Sequence, residues 1–261
     1  MSDQPEAFYL PADDDVYEPT RATESPWDRD AQHGGPPTAL LAHTIDATVA
    51  PGMRMARISV DFLAPIPRRR ARIEVTPLRP GRQVRLTEAH MIVDGRVAVT
   101  ARAWHIATGP TPPAQTEQVA PPPLPPARAE QDYFHGLTDW GYGQAIEWRY
   151  TQGGYDTLGR AQAWTRVRLP LIAGQKLTGL ARTLIVADSA NGLSATLPLQ
   201  QWLSIPPTMT TTLLRHPDGD WVHLDCRTDL SDDGLGLTHA TLSDPDGQLG
   251  TVAQPLLVRR R

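Results

Sequence analysis

Apolar and polar residues alternate with a two-residue period through RMARISVDFLAPIP, ARIEVTPLRPGR, QVRLTEAHMIVDG and RVAVTARAWHIA, all between Arg54 and Ala107. That period places successive side chains on opposite faces and predicts half-buried antiparallel strands. Arg79-Pro80-Gly81-Arg82 and Val93-Asp94-Gly95-Arg96 carry hairpin-turn chemistry. A similar run occupies residues 208–260, with turns at Pro217-Asp218-Gly219 and Pro245-Asp246-Gly247. Superposing Asp94-Gly95 on Asp246-Gly247 gives an offset of 152 residues and brings the strand patterns into step. Each set of strands follows a helix-like segment. In the first half Pro36 and Pro37, tolerated in a first helical turn, precede TALLAHTIDATVA. In the second, LTGLARTLIVADSANGLSATLPLQQWL is apolar at helical spacing, with a break expected near Asn191-Gly192. One helix lying across a curved antiparallel sheet, repeated in tandem, predicts an α+β fold.

Between the halves, eight of the seventeen residues from Pro110 to Pro126 are proline. Such a stretch lacks the donors for a helix or sheet interior and favours a stiff, extended connector over the outside. The expected division is a first unit at residues 1–108, a Pro-rich linker at 109–131 and a second unit at 132–261.

Composition narrows the function classes. The chain has 261 residues, 40 % of them hydrophobic, and a formal charge of −4. A slightly acidic chain has no overall attraction for nucleic acid or an anionic membrane surface. No apolar run approaches the ~20 residues that span a bilayer, and the acidic start MSDQPEAFYLPADDD is unlike a signal peptide. Cytoplasmic localisation is expected. The single cysteine, Cys226, excludes an internal disulfide and a Cys-rich zinc site, and reads as a small core residue. The eight histidines form no HxxxH pair, and the chain has no GxSxG elbow, Walker loop or GxGxxG. Metal, phosphoryl-transfer and dinucleotide chemistry are therefore not expected.

Two segments remain as candidate chemistry. Gln32-His33-Gly34-Gly35 precedes the first helix, where bare backbone N–H groups and the helix dipole can receive a carbonyl or oxyanion. The two glycines equally serve close helix packing. Asp188, in Ala187-Asp188-Ser189-Ala190, reads from position alone as a helix N-cap. Arg68, Arg69 and Arg70 could meet phosphates, but a basic hairpin is more often a solvated turn.

Trp27-Asp28, QHGGPPTALLAHTI, SVDFLAPIP, RPGR and VDGRVAVTARAW, followed by ADSANG, DWVHLDCRT and PDGQLGTVAQ, together resemble the double-hotdog, type II acyl-CoA thioesterases. The resemblance implies a tandem hotdog, two antiparallel sheets each wrapped on a central helix and joined side by side. It implies hydrolysis of acyl-CoA by an activated water, without cofactor or metal, and a possible homodimer. It also implies an Asp, Thr and Gln trio in the second unit, which maps to Asp188, Thr208 and Gln254, with His33, Gly34 and Gly35 on the substrate side. Alternation puts Thr210 and Thr212 on the face of Thr208, and Thr211 on the other. Under the 152 offset Arg102 matches Gln254, so the first unit would lack the trio. Two other readings stay open on the same fold. One is a non-catalytic acyl-binding protein. The other is a hydratase or dehydratase, disfavoured because such sites pair Asp with a nearby His and none follows Asp188 for 28 residues.

Overall fold

The computed structural model describes residues 5–110, 112, 119–127, 133, 137 and 139–261. Much of the expected linker, at 111, 113–118 and 128–131, lies outside the described residues. In the first half come β1 (Tyr9–Asp13), β2 (Val16–Pro19), α1 (Gly35–Asp46), β3 (Met53–Phe62), β4 (Ala71–Arg79), β5 (Val84–Val93) and β6 (Arg96–Ala107). The second half has α2 (Gly141–Gln144), β7 (Ile146–Gly154), β8 (Thr157–Val167), α3 (Gly179–Ala187) and α4 (Ala190–Leu193). It ends with β9 (Trp202–Ile205), β10 (Thr208–Leu213), β11 (Trp221–Leu230), β12 (Leu235–Asp244) and β13 (Gly247–Arg260).

All strands join one sheet in the order β1-β2-β4-β5-β6-β3-β10-β13-β12-β11-β8-β7, with β9 beside β13. Read from either end, the order is the same motif, so the two halves meet across a local two-fold between β3 and β10. That seam is antiparallel from Thr208↔Asp61 to Thr212↔Arg57, and the Ser59 and Thr210 hydroxyls bond across it at 3.0 Å. The described part of the proline segment runs over the outer face of the second half. The Trp164 Nε1–H donates to the Pro122 carbonyl at 2.9 Å, and Arg149 Nη1 donates to the Pro125 carbonyl at 2.8 Å.

Strand burial follows the alternation, most cleanly in β12, where exposed and buried residues succeed each other from Leu235 to Leu242. The inner face packs on the helices. Both central helices are apolar almost all round, as sandwiched helices are; in α1 only His43 and Asp46 escape full burial. Pro36 and Pro37 occupy its first turn, where the missing N–H costs nothing. In α3 the Thr178 side chain caps the start by accepting from the Ala181 N–H. The two helices cross in contact at the centre of the molecule. A Cβ on Gly35 would stand 2.0 Å from the Ile185 carbonyl oxygen, so only glycine permits this approach. The packing role weighed for the glycine pair thus belongs to Gly35, against the other helix rather than the sheet.

Three sequence expectations need correction. The break in the second helix falls at Asp188-Ser189, and Asn191-Gly192 lies inside α4. Asp188 therefore ends α3 rather than capping a helix start, and α4 has no side-chain cap. The structural repeat is 151 residues, not 152. Val93 pairs with Arg96 around the left-handed Asp94-Gly95 turn, whereas Asp244 pairs with Gly247 around Pro245-Asp246. Aligning Asp-Gly on Asp-Gly slips the register by one, which exchanges the faces of a strand. The counterpart of Gln254 is then the buried Ala103, not the outward Arg102.

Candidate active site

The helix crossing brings three of the named side chains together from three separate elements. Asp188 follows the last residue of α3, Gln254 is an inward residue of β13, and His33 lies just before α1. Gln254 Nε2 donates to Asp188 Oδ1 at 2.9 Å, and His33 Nδ1 stands 3.1 Å from Asp188 Oδ2. The carboxylate is about nine-tenths buried, with an oxygen engaged on each side. Gly34 lies against it, since a Cβ there would come within 2.9 Å of Asp188 Oδ2. The Gly35 N–H is directed at His33 Nδ1 at 3.3 Å. The N-terminus of α1, with its partial positive charge, is thus turned toward the buried carboxylate.

Aromatic residues wall off the other side. The His33 ring stacks on Tyr142, with centroids 4.0 Å apart and planes 12° from parallel. Tyr142 is held by a hydroxyl that donates to the Ile185 carbonyl and meets the Ser189 hydroxyl, both at 2.8 Å. Trp140, Trp148 and Tyr155 close the cluster by tilted and edge-on contacts. Burial pushes the Tyr142 and Tyr155 hydroxyls well above their usual range, so both stay neutral. Burial also lowers the pKa of His33, against the opposing pull of Asp188. Cys226 is buried elsewhere in the core, its thiol pushed up by burial and unsuited to act as a nucleophile.

A cavity of about 430 Å³ opens onto this cluster. His33, Gly34 and Asp188 form its polar end, and Trp27, Phe62 and Leu203 are among its apolar walls. Its size and lining suit a small-molecule ligand with an apolar portion. Among the described residues, no group of three His, Cys, Asp or Glu side chains gathers to hold a metal ion.

Thr208 is not drawn into the cluster. Its hydroxyl donates to the Val60 carbonyl at 2.8 Å across the seam. On β10 the buried residues are Met209, Thr211 and Leu213, and Thr211 pairs with Val252 on the inner face that carries Gln254. The Thr211 hydroxyl is fully buried and has no hydrogen-bond partner among the described residues, and the same holds for Gln254 Oε1. The His33–Asp188 contact joins residues 155 apart in the chain, a separation that no local spacing pattern marks.

The N-terminal domain of acyl-CoA thioesterases matches residues 23–106, and the C-terminal domain of acyl-CoA thioesterases matches residues 116–258. The chain belongs to the acyl-CoA thioesterase family. Solved structures agree on its fold. Acyl-CoA thioesterase II TesB2 from Mycobacterium marinum is 18 % identical, with 97 % of this chain and 95 % of that one covered at a TM-score of 0.68. A conserved hot dog protein of unknown function from Alicyclobacillus acidocaldarius is also 18 % identical, with 97 % of each chain covered and a TM-score of 0.75. An inactive mutant of the CurJ dehydratase shares the fold more distantly, at 14 % identity over 87 % of this chain and 82 % of that one, with a TM-score of 0.51. No curated protein sequence matches the chain. The chain has the tandem hotdog fold expected from the sequence, and among the described residues no helix is long and apolar enough to cross a membrane.

Proposed function

We propose that this chain hydrolyses acyl-CoA thioesters in the cytoplasm, releasing a free acid and coenzyme A without cofactor or metal. The observation that carries the reading is the buried Asp188 carboxylate, held by Gln254 and His33 at the polar end of an apolar cavity. The acyl chain occupies the apolar walls and the thioester carbonyl lies at the polar end. The carboxylate supplies the negative charge that draws a proton from water, and Gln254, fully buried and not itself a wall of the cavity, fixes that carboxylate by donating from Nε2 to Oδ1. Backbone N–H groups at the start of α1, beside Gly34, stabilise the developing oxyanion. The first unit (1–108), the linker (109–131) and the second unit (132–261) act as one body, because the site draws His33 from the first and Asp188 and Gln254 from the second.

The test is free-thiol release from a panel of acyl-CoAs at enzyme concentrations far below substrate. Asp188→Asn keeps size and most hydrogen bonds, and lowers kcat by ~10²–10⁴-fold with a smaller change in KM. Full activity in that variant, with a normal melting curve, sinks the reading. Binding without turnover would assign the chain to the acyl-binding class instead. One observation favours a second reading: the His33–Asp188 contact supplies the His and Asp that water addition to an enoyl thioester uses. An enoyl-CoA that loses its ultraviolet absorbance without releasing thiol would establish hydration.

A further inference from the structure

We propose that His33 is the general base of the hydrolysis, with Asp188 acting on water through it. The inference rests on the hydrolase reading above and concerns which atom takes the proton. Asp188 Oδ1 accepts from Gln254 and Oδ2 lies 3.1 Å from His33 Nδ1, so both carboxylate oxygens are already engaged by protein groups. His33 is different. Its Nδ1 meets Asp188 and the Gly35 N–H, and its ring face meets Tyr142, while its Nε2 bonds to no described residue. The ring nevertheless lines the cavity. Nδ1 cannot accept from Gly35 and donate to Asp188 at once. The 3.1 Å contact to the carboxylate is shorter than the 3.3 Å contact to the Gly35 N–H, and an unprotonated Nδ1 would repel the carboxylate. The tautomer that donates Nδ1–H to Asp188 therefore prevails, leaves the Gly35 contact unbonded and keeps the Nε2 lone pair free. A carboxylate that fixes the tautomer and stabilises the imidazolium as it forms is the logic of an Asp–His pair in acyl transfer.

The step balances. As the water oxygen bonds to the thioester carbonyl carbon, Nε2 takes one water proton and the ring becomes imidazolium beside the Asp188 carboxylate. When the tetrahedral intermediate collapses, the C–S bond breaks and Nε2 returns that proton to the departing thiolate. Acid, thiol and neutral His33 result. The surroundings fit this cycle. Among the described residues, the titratable groups seen in contact with the ring are Asp188 and Tyr142, and Tyr142 stays neutral. Burial holds the resting ring in its neutral form near pH 7, ready to accept a proton.

Three variants of the full chain test the assignment. His33→Asn retains a donor toward Asp188 but has no basic nitrogen, and His33→Phe retains the stack on Tyr142 and checks folding. His33→Ala leaves room for free imidazole. Thiol release and its pH profile are followed on whichever acyl-CoA the wild type turns over fastest. The wild-type kcat/KM falls with acid through a pKa below the ordinary histidine value. His33→Asn loses ~10²–10⁴-fold in kcat with little change in KM, and the histidine limb disappears. Added imidazole restores part of the activity to His33→Ala, which a merely structural role would not allow. A wild type that hydrolyses thioesters, with His33→Asn at full rate or with its acid limb unchanged, overturns the base assignment and leaves Asp188 as the direct base. A wild type that releases no thiol overturns the hydrolase reading, and this proposal with it.

Discussion

Gly35→Ala is the most demanding single-methyl test of the architecture, because it strikes the helix crossing that assembles the site. The added Cβ would stand 2.0 Å from the Ile185 carbonyl oxygen and 2.9 Å from its carbon. A relaxed contact needs roughly 3.5 Å, so α1 and α3 must separate by on the order of 1 Å. Forced overpacking of this kind costs about 1–3 kcal/mol. The same carbonyl accepts the Tyr142 hydroxyl, and loss of that bond adds about 1 kcal/mol. Alanine's better helix propensity returns at most about 1 kcal/mol, leaving a net loss of about 1–3 kcal/mol. Urea denaturation reads it as a lower midpoint at unchanged slope. Asp188 lies three residues beyond Ile185, and a displacement near 1 Å at a reacting group costs on the order of 10²-fold in rate. Gly34→Ala is the contrast. Its Cβ would meet Phe62 Cζ at 2.7 Å and Asp188 Oδ2 at 2.9 Å; the Phe62 ring can turn away, but the carboxylate is held by Gln254 and His33. It therefore lowers kcat on the order of 10²-fold and costs about 1–2 kcal/mol, through the carboxylate rather than through the helix crossing. A Gly35→Ala protein with the wild-type midpoint and rate would refute the close crossing as the reason for glycine there.

Thr208→Val removes the bond to the Val60 carbonyl and lowers stability by about 1 kcal/mol, with kcat within about 3-fold of wild type. Thr211→Val loses no bond and leaves stability unchanged or higher by about 1 kcal/mol, while kcat falls if its hydroxyl serves the attacking water. Thiol release from both variants checks this, and a normally folded Thr208→Val without turnover would return the role to Thr208. His223 is buried beside Trp164, and burial lowers its pKa to about 4 against a weaker opposing pull from Asp225. The folded state thus binds fewer protons than the unfolded one, so stability is full above the unfolded value of about 6.5 and declines toward pH 4 by about 3 kcal/mol. Denaturation midpoints across that range should flatten in His223→Gln, and an unchanged slope would count against the assignment. Light scattering at micromolar concentration should give a homodimer, twice the 28.6 kDa chain mass; the single-chain mass would exclude it.

The strands around β3–β6 and β10–β13 were legible because a half-buried strand writes its two faces directly into alternating residue types. α1 was legible for a similar local reason, its proline-marked first turn. The flanking hairpins β1–β2 and β7–β8 were not. Phe8 and Tyr9 are buried there with no alternation to announce them. In β7, Ile146, Trp148 and Tyr150 do alternate with Glu147, Arg149 and Thr151, but over a short run whose aromatics fit a core or interface cluster equally well. The one-residue slip in the repeat shows a sharper limit. Asp-Gly looks like one turn in both halves, but only the pairing of Asp244 with Gly247 reveals that the second turn is Pro-Asp. The residue types of the candidate site were readable, and Asp188 and Gln254 could be named by resemblance. Their partnership with His33 could not be read from the chain. Sequence determines local conformation through each residue's own propensities and near neighbours. The 3.1 Å contact between His33 and Asp188 exists only because Gly35 lets two helices, from opposite halves of the sheet, cross backbone against backbone.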